Sequence, residues 1–105
     1  MLESKFQSDL IKELNNMFIG CVILKNDANY IQGFPDLLIL FNDRWAVLEC
    51  KRSKDAPYQP NQEYYLDMLG LMSYASVIYP EIKKEVLDEL QHAFTFKSRR
   101  SSRIS

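Results

Sequence analysis

The chain has 105 residues, of which 47% are hydrophobic and 26% charged, and its formal net charge is −1. This length and composition predict one globular domain with a single core and exclude a fibrous or low-complexity chain. No apolar run approaches the roughly 20 residues that span a bilayer, and residues 1–5 lack the plan of a signal peptide. Cys21 and Cys50 are expected to be reduced, buried thiols within strands, so we expect a cytoplasmic protein without a membrane partner.

Charge is divided unevenly along the chain. Residues 97–105 carry four basic and no acidic side chains, whereas the first 96 residues carry nine basic and fourteen acidic ones, a net charge of −5. We therefore expect one domain over residues 1–96 and a basic, flexible tail over residues 97–105. The tail either contacts phosphates or is simply solvated, and the sequence leaves both readings open.

Residues 3–18 are predicted to form an amphipathic helix. Its apolar stripe has helical spacing and comprises Phe6, Leu10, Ile11, Leu14, Met17 and Phe18. Glu3 projects near the middle of this stripe, where a carboxylate requires a partner or a metal ion. The alternative is an acid in the first helical turn, where negative charge favours the helix dipole and water is near.

A strand over residues 21–25 and a polar loop over residues 26–34 precede two apolar runs, Leu37–Phe41 and Trp45–Leu48, which predict a β-hairpin. A turn at residues 42–43 gives a register that pairs Asp36 with Glu49. Directly opposed Cβ atoms lie roughly 5 Å apart, where like charges repel, so a pair of acids in this position favours a cation between them. The period of two places Lys51 on the same face as Glu49, with Cys50 on the other.

A second polar loop over residues 52–59 leads to a helix over residues 60–72, with Gln62 beside its inward face. The inward side chains of this helix are expected to be Tyr65, Met68, Leu69 and Met72. A strand over residues 75–79 and a helix from Pro80 complete the order α-β-β-β-α-β-α. Because a helical crossover reaches the last strand, that strand should pair in parallel. The fold class is α/β, with a mixed four-stranded sheet flanked by helices.

Three segments carry a resemblance to a known family: Gly33-Phe34-Pro35-Asp36-Leu37, Glu49-Cys50-Lys51 and Pro60-Asn61-Gln62. Their pattern resembles the PD-(D/E)xK nuclease superfamily over roughly residues 3–94. Within it the chain looks like the virus-type replication-repair nuclease (VRR-NUC) branch and its small phage relatives, which are similar to Holliday-junction resolvases. The resemblance implies a restriction-endonuclease-like core and a Mg²⁺-dependent DNA endonuclease acting on branched or junction DNA.

Oxygen ligands suit Mg²⁺, and Mn²⁺ should substitute because it shares that preference. Asp36 and Glu49 are the expected direct ligands, and the resemblance implies the backbone carbonyl of Cys50 as a third and Glu3 as a further acid. Lys51 would hydrogen-bond the attacking water or a phosphate oxygen. Gln62 would orient the water or a phosphate, a role that is carried chiefly by the resemblance.

DNA is the expected partner. The basic side chains expected to contact it are Lys25, Arg52, Lys54, Lys97, Arg99, Arg100 and Arg103. We expect a homodimer, since symmetric cleavage of two strands requires two active sites. Two alternatives stay open: a nicking or restriction-type endonuclease on duplex DNA, and a catalytically silent module that binds DNA or supports assembly.

Overall fold

A computed structural model describes residues 2–95. Its elements in chain order are α1 (Glu3–Met17), β1 (Val22–Lys25), β2 (Leu37–Phe41), β3 (Arg44–Cys50), α2 (Gln62–Met72), β4 (Tyr74–Ile78), a 3₁₀ turn (Pro80–Ile82) and α3 (Lys83–Thr95). The α/β class and the predicted order of elements are confirmed. The basic tail over residues 97–105, with Lys97, Arg99, Arg100 and Arg103, lies outside the described residues.

The four strands form one mixed sheet in the order β1-β2-β3-β4. The first three strands are antiparallel, and β4 is parallel to β3, as the helical crossover predicted. The hairpin pairs Phe41 with Arg44 and continues to Leu37 opposite Leu48, which confirms the predicted register. Asn42 makes the turn possible with a φ of 57°, a left-handed conformation that asparagine tolerates well.

One face of the sheet packs against α1 and α3. The buried side chains of this core are Phe6, Leu10, Leu14, Phe18, Leu37, Ile39, Ala46, Leu48, Cys50, Ile78, Val86, Leu87, Leu90 and Phe94. At the turn end of the hairpin, the rings of Phe18, Phe41 and Phe94 contact one another with centroids 5.1–5.6 Å apart. The apolar stripes of α1 and α3 therefore cover this face, and Ile23 and Phe41 at its margin are partly buried.

On the second face of the sheet, α2 packs mainly against β4. Leu69 is buried there, whereas Tyr65 and Met68 are half-buried. The expectation that Met72 points inward is wrong, because α2 ends at this residue and its side chain is 60% exposed. An eleven-residue helix is too short to cover all four strands.

Two further expectations are corrected by the structure. The second long helix begins at Gln62 and not at Pro60, because Asn61 has a left-handed φ of 71° that the helix cannot continue through. Cys21 precedes β1 and is only half-buried, while Cys50 lies fully inside the core; both thiols are free. None of the helices within residues 2–95 is long and apolar enough to cross a membrane.

Candidate active site

Asp36 and Glu49 meet at the end of the hairpin farthest from its turn. Asp36 comes directly before β2, and Glu49 is the second-to-last residue of β3. The backbone N–H of Asp36 donates to Glu49 Oε1 at 3.2 Å, and the N–H of Cys50 donates to Asp36 Oδ2 at 2.9 Å. Each acid thus accepts a backbone hydrogen bond from the other strand, and both carboxyl groups are fixed by the register itself.

Gln62, the first residue of α2, connects this pair to Lys51. Its Nε2 donates to Glu49 Oε2 at 2.8 Å, and its Oε1 accepts from Lys51 Nζ at 2.7 Å and from the N–H of Gln59 at 2.7 Å. Both the NH₂ group and the carbonyl oxygen of this amide are therefore hydrogen-bonded. Because one partner accepts and the other partners donate, only one orientation of the amide satisfies them. The sequence placed Gln62 beside the inward face of its helix, and the structure buries it there.

Lys51 is only 6% exposed. Its Nζ donates to Gln62 Oε1 and, at 2.9 Å, to the carbonyl oxygen of Pro57, and it lies 3.9 Å from Glu49 Oε2. The Tyr58 ring lies beneath it, with the centroid 4.9 Å from Nζ, at the distance of a cation–π contact. These contacts offset the cost of removing an ammonium group from water. The contacts with Pro57 and Tyr58 come from the loop after β3. That loop has no sequence periodicity from which these contacts could be predicted.

Burial dominates the protonation of the two acids. The pKa of Glu49 is raised from 4.5 to about 8, mainly by burial and secondly by the neighbouring charge of Asp36. The pKa of Asp36 is also raised by burial, against the Cys50 amide, the Lys51 ammonium and a hydrogen bond shared with Glu49, which lower it. Burial thus favours the protonated form of both acids, and each carboxylate opposes the ionisation of the other.

The site opens to solvent through a cavity of about 420 Å³, here called the charged cavity. It is lined by Leu2, Glu3, Asp36, Glu49, Lys51, Arg52, Ala56, Pro57, Gln59 and Gln62. The four side chains predicted to be catalytic, Asp36, Glu49, Lys51 and Gln62, thus border one space. The burial of side-chain polar atoms is fully compensated by hydrogen bonds throughout the described chain.

Glu3 borders the same cavity as Asp36 and Glu49, and its side chain is exposed. It is the first residue of α1, where water is near, so its carboxylate is not buried in the core. Partial burial raises the pKa of Glu3, and the negative charge of Asp36 raises it as well. A role for Glu3 as a metal ligand stays a prediction.

The donor set is suited to a hard divalent cation. Within residues 2–95, no three His, Cys, Asp or Glu side chains are arranged as a ready-made metal cluster. Mg²⁺ does not require one, since it retains several waters and is commonly held by one or two carboxylates. Asp36 and Glu49 provide those two carboxylates at the border of a solvent-connected cavity. The Cys50 carbonyl as a third ligand stays a prediction.

Three of the basic residues expected to contact DNA lie within the described chain, and all three are exposed. Arg52 borders the charged cavity, Lys25 ends β1 and acts electrostatically on Asp36, and Lys54 lies in the loop after β3. Arg52 and Lys25 therefore lie near the acidic pair, whereas a position for Lys54 beside it stays a prediction. His92 is exposed on α3 and does not line the charged cavity.

Comparisons with models of protein families, with curated proteins and with solved structures find no match for this chain. The function is therefore argued from the residues and their geometry.

Proposed function

We propose that this protein is a Mg²⁺-dependent DNA endonuclease of the PD-(D/E)xK type, similar to the virus-type replication-repair nucleases, that hydrolyses phosphodiester bonds in branched or junction DNA. The observation that carries the proposal is the network joining Asp36, Glu49 and Lys51 through Gln62 at one solvent-connected cavity. Two acids with raised pKa values beside a buried lysine are typical of a catalytic centre.

Each residue has a distinct part in the proposed reaction. Asp36 and Glu49 would hold Mg²⁺, which when bound supplies an activated water and neutralises charge on the phosphate. Lys51 has three N–H donors, of which two are used by Pro57 and Gln62, so one remains for the attacking water or a phosphate oxygen. Gln62 would act through its two partners, by holding the Lys51 ammonium and the Glu49 carboxyl group in position.

Arg52, Lys25 and Lys54 would contact the DNA backbone around this centre, and the basic tail would add phosphate contacts. A homodimer would place a second site on the opposite strand. We propose the cytoplasm as the compartment, in keeping with two free thiols.

The experiment that tests the proposal is a cleavage panel of four-way junction, flap, single-stranded and linear duplex DNA in Mg²⁺, Mn²⁺ or excess chelator. Asp36→Asn and Glu49→Gln should each lower the cleavage rate by about 10³-fold, since several kcal/mol of charge stabilisation depend on the bound cation. Glu63→Gln, which removes an exposed acid of α2, is the matched control and should cleave like the wild type.

Cleavage that persists in chelator, or in both acid variants, would reject metal-assisted hydrolysis by these residues. DNA binding without any cleavage by the wild type would favour the silent binding module. Preference for linear duplex over junction and flap would favour the nicking or restriction-type enzyme.

A further inference from the structure

A second cavity of about 620 Å³ adjoins the charged cavity and differs from it in chemistry. The two share Asp36, Gln59 and Gln62. The remaining lining of the second cavity comes from the loop between β1 and β2, namely Asn26, Ala28, Asn29, Tyr30, Gln32, Gly33 and Phe34. This space, here called the amide cavity, has no lysine or arginine in its lining. Its volume lies within the range of about 300–1,000 Å³ found for small-ligand sites.

Three of its amides are unpaired. Within residues 2–95, the side-chain amides of Asn29, Gln32 and Gln59 have no hydrogen-bond partner in the protein. Each offers two N–H donors and a carbonyl acceptor. Donors and acceptors side by side, without a cation, suit a neutral heterocycle with mixed polar edges and not a phosphate.

Tyr30 adds an aromatic surface to this cavity. Its side chain is 82% exposed, so the ring is accessible to another molecule from solvent. Every nucleobase has a π-face, and stacking on an exposed aromatic ring is how proteins bind unpaired bases without reading their sequence. The ring and the unpaired amides therefore complement the face and the edge of one base.

The loop that carries these groups is held in place. Asn26 Nδ2 donates to the carbonyl oxygens of Ile31 at 3.3 Å and Phe34 at 3.4 Å, and Asp27 Oδ1 accepts the N–H of Asn29 at 2.9 Å. Gly33 has a φ of +89°, and a Cβ atom there would lie 2.5 Å from the carbonyl oxygen of Pro60. Only glycine permits this approach of the loop to the start of α2, so the cavity wall is built into the fold.

We propose that the amide cavity is a subsite for an unstacked nucleobase belonging to the nucleotide beside the scissile phosphate. The inference rests on the proposed nuclease function and deepens it. The charged cavity takes the phosphate and its cation. The amide cavity, which shares Asp36, Gln59 and Gln62 with it, takes the base of the same or the adjacent nucleotide.

A substrate class follows from this arrangement. A base that remains paired and stacked in continuous duplex cannot enter the cavity, whereas a base at a branch point, a flap or a single-stranded segment can enter without the cost of unpairing. The enzyme should therefore prefer DNA with unpaired nucleotides next to the cleaved bond.

The test measures DNA affinity in chelator, where cleavage does not interfere. Wild type, Tyr30→Ala and Tyr64→Ala are titrated with single-stranded and continuous duplex oligonucleotides by fluorescence anisotropy. Tyr64 is the control because it is an exposed tyrosine, at 61%, that lines neither cavity. Tyr30→Ala should weaken single-strand binding about 10-fold, in line with the loss of one base–aromatic stack, and change duplex binding less than about 2-fold. Tyr64→Ala should change neither.

A second readout uses a branched DNA with 2-aminopurine as the unpaired base at the branch point. Its fluorescence should change on binding to wild type and to Tyr64→Ala, and change much less with Tyr30→Ala. Equal weakening of single-strand and duplex binding by Tyr30→Ala, or no weakening of either, overturns the subsite.

The two proposals can fail separately. If the wild type cleaves DNA in Mg²⁺ while Tyr30→Ala keeps the full preference for unpaired DNA, the subsite is wrong and the nuclease stands. If no DNA is cleaved but the preference depends on Tyr30, the nuclease is wrong and the cavity is a base-binding site alone.

Discussion

The charged cavity and the amide cavity share three residues but differ in how their polar side chains are buried and hydrogen-bonded. In the charged cavity, Glu49, Lys51 and Gln62 are at most 9% exposed and each is hydrogen-bonded within the protein. In the amide cavity, Asn29, Gln32 and Gln59 are exposed, and their side-chain amides have no partner within residues 2–95. Buried polar groups need hydrogen-bond partners within the protein, whereas exposed ones can bond to water and stay available to a ligand.

This contrast separates positioning from recognition. The internal hydrogen bonds of the charged cavity hold its side chains in place, as the proposed electrostatic catalysis would require. The amide cavity has a fixed backbone wall and unpaired side chains, an arrangement suited to binding. The following predictions test that division, in order of decreasing effect on stability.

The largest effect is the pH dependence that the acid pair imposes on the free energy of unfolding in chelator. Glu49 has a folded pKa of about 8, above its ordinary 4.5, so the folded state binds its proton more tightly than the unfolded state does. Its stabilising contribution is fully present below about pH 4.5 and is lost as the pH rises through about 8. The slope can reach about 1.4 kcal/mol per pH unit. Glu49→Gln should flatten it and be more stable than wild type at pH 8.

Urea unfolding between pH 5 and pH 8 measures this difference. Glu63→Gln removes an exposed acid from the neighbouring helix and should keep the wild-type slope. Parallel curves for wild type and Glu49→Gln would show that Glu49 ionises normally in the folded protein.

The next prediction compares a paired amide with an unpaired one. Gln62→Leu removes the partner of Lys51 Nζ, of Glu49 Oε2 and of the Gln59 N–H, and should lower the free energy of unfolding by about 3 kcal/mol. Leucine is as good a helix former as glutamine, so α2 itself is not weakened. Gln32→Leu removes an amide with no internal partner and should stay within about 0.5 kcal/mol of wild type. Equal losses in urea unfolding would contradict the division of the two cavities.

Strand periodicity and turn chemistry account for what the sequence predicted correctly. Asn42-Asp43 sets the turn, the turn sets the register, and the period of two then places Glu49 and Lys51 on one face with Cys50 opposite. Asp36 follows from the same register. Side chains in a strand or helix recur on one face at a fixed spacing, so the placement of one residue predicts the placement of its neighbours.

The contacts made by loops have no such repeat. Pro57 and Tyr58 hold Lys51 because the segment after β3 folds back over it, and nothing in its composition specifies that path. The amide cavity depends on the approach of Gly33 to Pro60, a contact between two loops far apart in sequence. Helical periodicity likewise gives the direction of Glu3 around the axis of α1, but not whether the first turn is covered, and the structure leaves this side chain exposed.

The smallest effect concerns two glycines with nearly the same backbone conformation. Gly20 and Gly33 have φ angles of +90° and +89°, so an alanine at either position is strained by about 1 kcal/mol. At Gly20 an added Cβ meets nothing within 4 Å. At Gly33 it would lie 2.5 Å from the Pro60 carbonyl oxygen and 2.6 Å from Asn61 Cβ, so the loop must shift. Gly33→Ala should therefore lower the free energy of unfolding, measured in urea, by about 2 kcal/mol more than Gly20→Ala does.

Gly33→Ala should also reduce the preference for single-stranded over duplex DNA, which Gly20→Ala should leave intact. Equal stability of the two variants, with equal preference, would mean that the loop does not depend on this approach to α2.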